Sequence, residues 1–195
     1  RLVGSEMCIR DRFDAGHSLE QRHCPIDGEK VKSCIGCKTC AIMNGFGGAG
    51  AFSDGKYNIT NDFGGTLYEY IGRQKALELM KYVDTINMSH GGEGTKMYST
   101  AGTDLKKVCL QNKLKLLDAS VRHLGTDVNY VVLKNLYDEM KDHMDFFFDT
   151  PVEKIQVKED GYTVSAKDAE YACRKCIVSV GRSGSKWMEL SLIHI

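Results

Sequence analysis

Three cysteines, Cys34, Cys37 and Cys40, stand two residues apart in SCIGCKTC, and Cys24 lies upstream of them. Thiolates spaced in this way can converge on zinc or on an iron–sulfur cluster, with Cys24 as the fourth ligand. A run of redox-active or structural thiols is the other reading, since no second CxxC stands close by to complete the ligand set. The next stretch, NGFGGAGAFSDGKYN, combines Gly45, Gly47, Gly48, Ala49 and Gly50 with the polar groups Ser53, Asp54, Lys56 and Asn58. Glycine lets main-chain N–H groups approach a ligand closely and adopt positive φ, which suits a phosphate or a flat ring. A flexible surface loop is the alternative, although Phe46 and Phe52 are out of keeping with one.

Other single residues invite narrower readings. Asp14, in FDAG, has the position of a strand-end acid that accepts ribose hydroxyls in a dinucleotide-binding βαβ unit, or else of a plain turn. Arg122 and His123 in RHLGTD could meet an anionic substrate or a cofactor phosphate, and they are the two candidate catalytic residues; a structural role at a strand end is the alternative. Gly181 and Arg182, with Ser183 and Gly184, follow the apolar IVSV, where backbone could pass against a cofactor or simply turn. Cys173 and Cys176 form a CxxC inside an expected strand, whose alternating faces would separate the two thiols, so they read as core or incidental. His17, His23, His90 and His143 fit no ligand pattern.

Both ends of the chain are foreign in character. Back-translated, LVGSEMCIRD and LSLIHI fit opposite orientations of a transposase-type sequencing adaptor. Residues 1–12 and 190–195 are therefore expected to be translated adaptor, leaving 13–189 as an internal part of a longer protein. The whole chain carries 26 basic and 26 acidic residues. Setting aside Arg1, Arg10 and Arg12 with Glu6 and Asp11 leaves 23 against 24. That balance gives no electrostatic argument for nucleic acid or an anionic membrane. Apolar runs stay below the roughly 18 residues of a membrane span. Of eight cysteines, Cys8 falls in the adaptor; an odd, clustered remainder points to reduced cytoplasmic thiols or metal ligands rather than a secreted disulfide frame.

The elements that would position these residues follow from pattern. FDAG ends a strand, LEQRH makes a short helix, and CPIDGEK turns. Helical spacing of Leu67, Ile71, Leu77, Met80, Val83 and Ile86 predicts one helix over 66–87, ended by HGGEGTK. Helices are also predicted at 104–113, capped by Thr103, and at 127–143, capped by Thr126 or Asp127, with Val128, Val131, Val132, Leu136 and Met140 on the apolar face. Alternation then predicts strands in DFFFD, VEKIQVK, GYTVSAKD and YACRKCIVSV, with EDG as a hairpin turn. The expected class is α/β with an antiparallel β insertion.

Taken in order, FDAGHSLEQR, CPI with CIGCKTCAIMNGFGGAGAFSDGKYN, RHLGTD, TPVEKI and IVSVGRSGSKW resemble microbial FAD-dependent dehydrogenases. These belong with the NAD(P)/FAD-dependent oxidoreductases, among the relatives of glutathione-reductase-type and hydroxylase-type flavoproteins. The resemblance spans residues 13–189, and IMNGFGGAGAFSDGKYN is its most specific part. It implies a partial Rossmann-like flavoprotein fold whose first βα unit is missing. It implies further that Asp14 binds the adenosine ribose, and that the loop from Gly45 through Gly47, Gly48, Ala49 and Gly50 lies beside the FAD pyrophosphate and isoalloxazine, followed by Ser53 and Asp54. Val152 would meet the adenine, and Gly181 and Arg182 would return the chain to the cofactor. Neither the GxGxxG segment nor the closing C-terminal flavin motif of the family is present. The implied activity is flavin-mediated hydride or electron transfer with a small-molecule substrate or redox partner, NAD(P)H being a possible donor. The 195-residue chain itself is expected to be inactive. A zinc or iron–sulfur module without flavin catalysis, and a non-catalytic interaction protein, are the competing classes.

Overall fold

The computed structural model describes residues 10–194, with side chains through Leu190. Most of the two adaptor-like ends, residues 1–9 and 195 and the side chains of 191–194, lies outside this description. The chain is mixed α/β, with one parallel and two antiparallel sheets among the described residues. It divides into two compact units, one made of residues 1–51 and 137–195 and the other of Phe52–Leu136.

In the first unit, β1 (Asp11–Phe13) lies parallel to β5 (Asp145–Phe147), pairing Phe13 with Phe147. β1 begins two residues before the expected adaptor boundary. The Phe13 and Phe147 rings stack at 4.9 Å, and Tyr171 tilts against Phe13 at 4.7 Å. Phe46, Tyr137, Phe146 and Phe148 form a second aromatic group with mostly edge-on contacts, the geometry that ring quadrupoles favour. A meander follows, made of β6 (Val152–Lys158), β7 (Gly161–Ala166) and β8 (Ala169–Cys173), all antiparallel. Ile155, Val164 and Ala166 are buried on one face of the meander, while Val157, on that same face but nearer the β6–β7 hairpin, is exposed. Both hairpin loops have two residues, the first being Glu159 and Asp160 of the expected EDG turn, whose Gly161 already belongs to β7.

In the second unit, β4 (Ser120–His123) is the central strand between β2 (Lys56–Ile59) and β3 (Met97–Ser99). The helices of this unit are α1 (Leu67–Ile71), α2 (Arg73–Asn87), α3 (Leu105–Gln111) and α4 (Thr126–Met140), whose last residues fall in the first unit. A helix α5 (Ser185–His194) closes the first unit. Among the described residues no helix is long and apolar enough to cross a membrane.

Four local expectations are corrected. The helix expected over 66–87 is broken at Gly72, which takes φ +84 and both ends α1 and precedes α2. Helical spacing carries across such a break because a single residue in the left-handed region leaves the apolar count almost unchanged. Thr103 does not cap α3: its hydroxyl donates back to Thr100 O, and Asp104 holds the N-cap position with no side-chain bond. On α4 the buried residues are Asn129 and Val132, while Val131 is exposed. Asn129 is buried because Tyr57 Oη donates to its Oδ1 at 2.9 Å. Finally, β8 ends at Cys173, and 175–180 carry no ladder; Ile177 is 94 % exposed. Apolar β-branched residues predict strand, but a strand requires a partner, and among the described residues none pairs with this one.

Candidate functional site

β1 delivers Asp14 to the glycine loop. The Asp14 carboxylate accepts hydrogen bonds from Gly16 N at 3.0 Å and Gly45 N at 3.1 Å, so one side chain gathers two backbone segments far apart in sequence. Its second oxygen lies 3.5 Å from the Arg12 guanidinium. The main chain of Asp14 is held as well, by Phe147 O and by Thr150 N. Glycine is required at this contact. A Cβ on Gly16 would run into Gly45 N, and one on Gly45, at φ +103, would overlap His17 O and come within 2.9 Å of Arg22 Cδ.

Arg22 fixes the far side of the loop. It is 2 % exposed and donates to three main-chain carbonyls: Ala41 O at 2.8 Å, Ile42 O at 2.8 Å and Phe46 O at 2.5 Å. Burial pushes its pKa down, while the charges of Asp14 and Cys40 pull it back up. A buried guanidinium is tolerated where its donors are met, and here they tie the segment 41–46 into one conformation. Nothing in the sequence distinguished Arg22. The only signal was its place directly after the short helix Leu19–Gln21, in a chain returning towards the cysteine run.

Beyond this clamp the loop changes character. Gly47 and Gly48 take φ +80 and +57, and a short 3-10 helix runs from Gly48 to Phe52. A Cβ built on Gly48 or on Gly50 meets nothing within 4 Å. The start of the loop is therefore packed on protein, and the part that follows faces open space.

Two further expected segments come to the same region of the first unit. Ser183 Oγ, one residue after Arg182, donates to Asn44 Oδ1 at 2.5 Å. Gly181 takes φ +63 before the 3-10 turn Arg182–Gly184. Val152 opens β6 two residues after Thr150, whose N–H is bonded to Asp14 O, and Trp187 Nε1 donates to Glu153 O at 3.4 Å. Gly45, at the start of the loop, is thus bonded directly to Asp14, while the start of β6 and the turn at Gly181 and Arg182 are tied in through their neighbours Thr150, Glu153 and Ser183.

Ser53, Asp54, Arg122 and His123 belong to the second unit. Asp54 forms an ion pair with Lys56 at 2.6 Å and lies 3.8 Å from His123. The Lys56 hydrogen bond, aided by the charges of Lys56 and His123, holds its carboxyl below the usual range. Ser53 Oγ accepts from Gly55 N. Arg122 is committed to structure: Nε and Nη2 each lie 2.7 Å from the two Asp84 oxygens, and Nη1 donates to Thr95 O at 2.6 Å. The Asp84 bond raises its pKa. Of the two catalytic candidates, His123 alone presents an exposed side chain.

The cysteine run is spread out. Cys24, Cys34 and Cys37 are exposed and Cys40 half-buried, and among the described residues no three His, Cys, Asp or Glu side chains are placed to hold a metal ion. Cys173 and Cys176 behave otherwise than expected. Because β8 stops at Cys173, strand alternation does not separate them, and both thiols are half-buried. A surface depression of about 680 Å³ beside α3 is lined by Lys106, Leu110, Lys113 and Leu114, none of them an expected site residue.

No protein-family model, curated protein or solved structure matches this chain.

Proposed function

We propose that residues 13–189 are part of a cytoplasmic FAD-dependent oxidoreductase with a Rossmann-like flavoprotein fold. Its flavin would supply hydride or electron transfer, while the chain binds and orients it. The observation that carries this reading is the junction of Asp14, the glycine loop, the start of β6 and the turn at 181–182 within one unit. Each is a segment that the flavoprotein resemblance puts against the cofactor, and all but the start of β6 were also singled out from the residues themselves. The parallel β1–β5 pair at the foot of the loop supports the same reading.

The residues present fit such a group in one respect that sequence could not supply. Gly48 and Gly50 have open space where a Cβ would stand, which gives a flat ligand close approach to this turn, while the Gly48 N–H itself donates to Gly45 O. Gly45 and Gly16 supply the packing that holds this backbone in place. Asp14 is occupied by two amides, so its part is to set the loop, with its remaining oxygen free of backbone donors for a ribose hydroxyl. Arg22 then acts on the cofactor only through the loop. NAD(P)H as donor and a small-molecule substrate or redox protein as partner complete the proposal.

Gly50→Val tests it. Made in the protein expressed from the complete reading frame, this change adds a side chain in open space, so stability should stay within about 0.5 kcal/mol. FAD retention, read as the ratio of flavin to protein absorbance, should fall by about tenfold in affinity, or about 1.4 kcal/mol. Unchanged FAD affinity with unchanged stability would show that the loop does not face the cofactor.

A further inference from the structure

From Leu105 to Leu117 the chain reads LKKVCLQNKLKLL, with four lysines and no carboxylate in a protein whose charges otherwise balance. At the end of α3, Lys113 N donates to Leu110 O at 3.1 Å and Leu114 N to Cys109 O at 2.8 Å, with Lys113 at φ +59. This is a Schellman closure with lysine where glycine is usual, and it turns the chain back on the helix. Leu110, Leu114 and Leu116 then share the lining of the depression of about 680 Å³ beside α3. That volume is within the about 300–1,000 Å³ of small-molecule sites. Leu110 is 66 % and Leu114 61 % exposed, so the wall they form stands in water. The charges of the lining do not cancel. Its two carboxylates are already answered, Asp62 Oδ1 by Arg73 Nη2 at 2.8 Å and Asp118 Oδ2 by Lys106 Nζ at 3.0 Å. Lys113 and Lys115, in the same lining, have no carboxylate partner among the described residues. Two uncompensated ammonium groups thus border exposed leucines, a surface complementary to an anionic head on an aliphatic chain.

We propose that this hollow binds a free anionic amphiphile of the long-chain carboxylate class, one molecule per chain. Lys113 and Lys115 receive the carboxylate through charge-assisted hydrogen bonds, and the aliphatic chain covers Leu110, Leu114 and Leu116. Burial of the chain supplies most of the affinity, because ion pairs open to solvent are weak. The lysines select the sign of the head. The site belongs wholly to the second unit and is independent of the flavin reading.

The test is calorimetric titration of the full chain with dodecanoate, kept below its micelle concentration, beside octanoate and dodecyltrimethylammonium. Dodecanoate should bind saturably at one per chain. Octanoate, four methylenes shorter, should bind about tenfold more weakly, given that each methylene is only partly removed from water. The cationic amphiphile should also bind about tenfold more weakly. Lys113→Glu combined with Lys115→Glu, both at exposed positions, should weaken dodecanoate by about tenfold and strengthen dodecyltrimethylammonium. In the unaltered protein, dodecanoate should slow reductive methylation of Lys113 and Lys115 but not of the exposed Lys75 on α2, read by peptide mass. Equal affinity for the two head charges, or methylation of Lys113 and Lys115 at the same rate with and without dodecanoate, would overturn the proposal. So would adsorption to phosphatidylserine vesicles without saturable binding of the monomer, which would make this surface a membrane contact. The methylation experiment on the unaltered chain decides the matter even if the double variant does not fold.

Discussion

At the scale of single residues, two glycines three positions apart do different work, and the difference can be measured. Gly45 sits at φ +103 with His17 O and the Arg22 side chain against it, whereas Gly48 sits at φ +57 with nothing within 4 Å. Gly48→Ala should cost about 1 kcal/mol, the penalty for an L-residue in the left-handed region. Gly45→Ala carries such a penalty and must also displace a main-chain carbonyl, so it should cost at least about 3 kcal/mol. Urea denaturation of the two variants checks the order; equal midpoints would mean that the loop does not pack as described. Composition alone marked the loop as unusual but could not divide it, because which glycine is packed depends on Asp14 and Arg22, residues drawn in from elsewhere. Arg22 itself was illegible, since a buried arginine that donates to main-chain carbonyls leaves no pattern in its neighbours.

At the scale of elements, Arg122 ties β4 to α2 and to the segment at Thr95. Its side chain and that of Asp84 are 13 % and 12 % exposed, so screening by solvent is small. Arg122→Ala and Asp84→Ala should each destabilise by about 2–4 kcal/mol, and the double variant should cost less than their sum by at least about 1 kcal/mol. A double-mutant cycle in denaturant measures this; additive losses would mean that the pair is not coupled and would return Arg122 to the list of substrate-facing groups. The β7–β8 hairpin offers a gain instead of a loss. Lys167 and Asp168 form its two-residue loop at φ +47 and +61. Those angles belong to a turn that Asn-Gly adopts with less strain, so Lys167→Asn with Asp168→Gly should stabilise by about 1 kcal/mol, seen as a raised melting temperature. The elements themselves were mostly legible. Alternation identified β6 and β7, and helical spacing identified α2 and α4. What failed was termination, at Gly72 and at Cys173, because an end is set by a missing partner or a single torsion rather than by periodicity.

For the whole molecule, the mixed α/β class could be read from the change of period near residue 144, and the structure agrees at that level. The division into two units could not be read, because the second unit is inserted between two parts of the first and no Pro- or Ser-rich linker marks either junction. The same arrangement explains why Asp14, the glycine loop, β6 and the turn at Gly181 stand far apart in sequence yet join in one unit. Spacing arguments reach neighbours along the chain, and this junction is made of residues more than thirty positions apart. The claim that the junction serves a flavin is tested most directly by the visible absorption spectrum of the protein expressed from its complete reading frame and purified without added cofactor. The account predicts the two absorption bands of bound oxidised flavin, released as FAD on denaturation and bleached by a reductant. A protein that is colourless as purified, and remains so after incubation with FAD and removal of the excess, would contradict it.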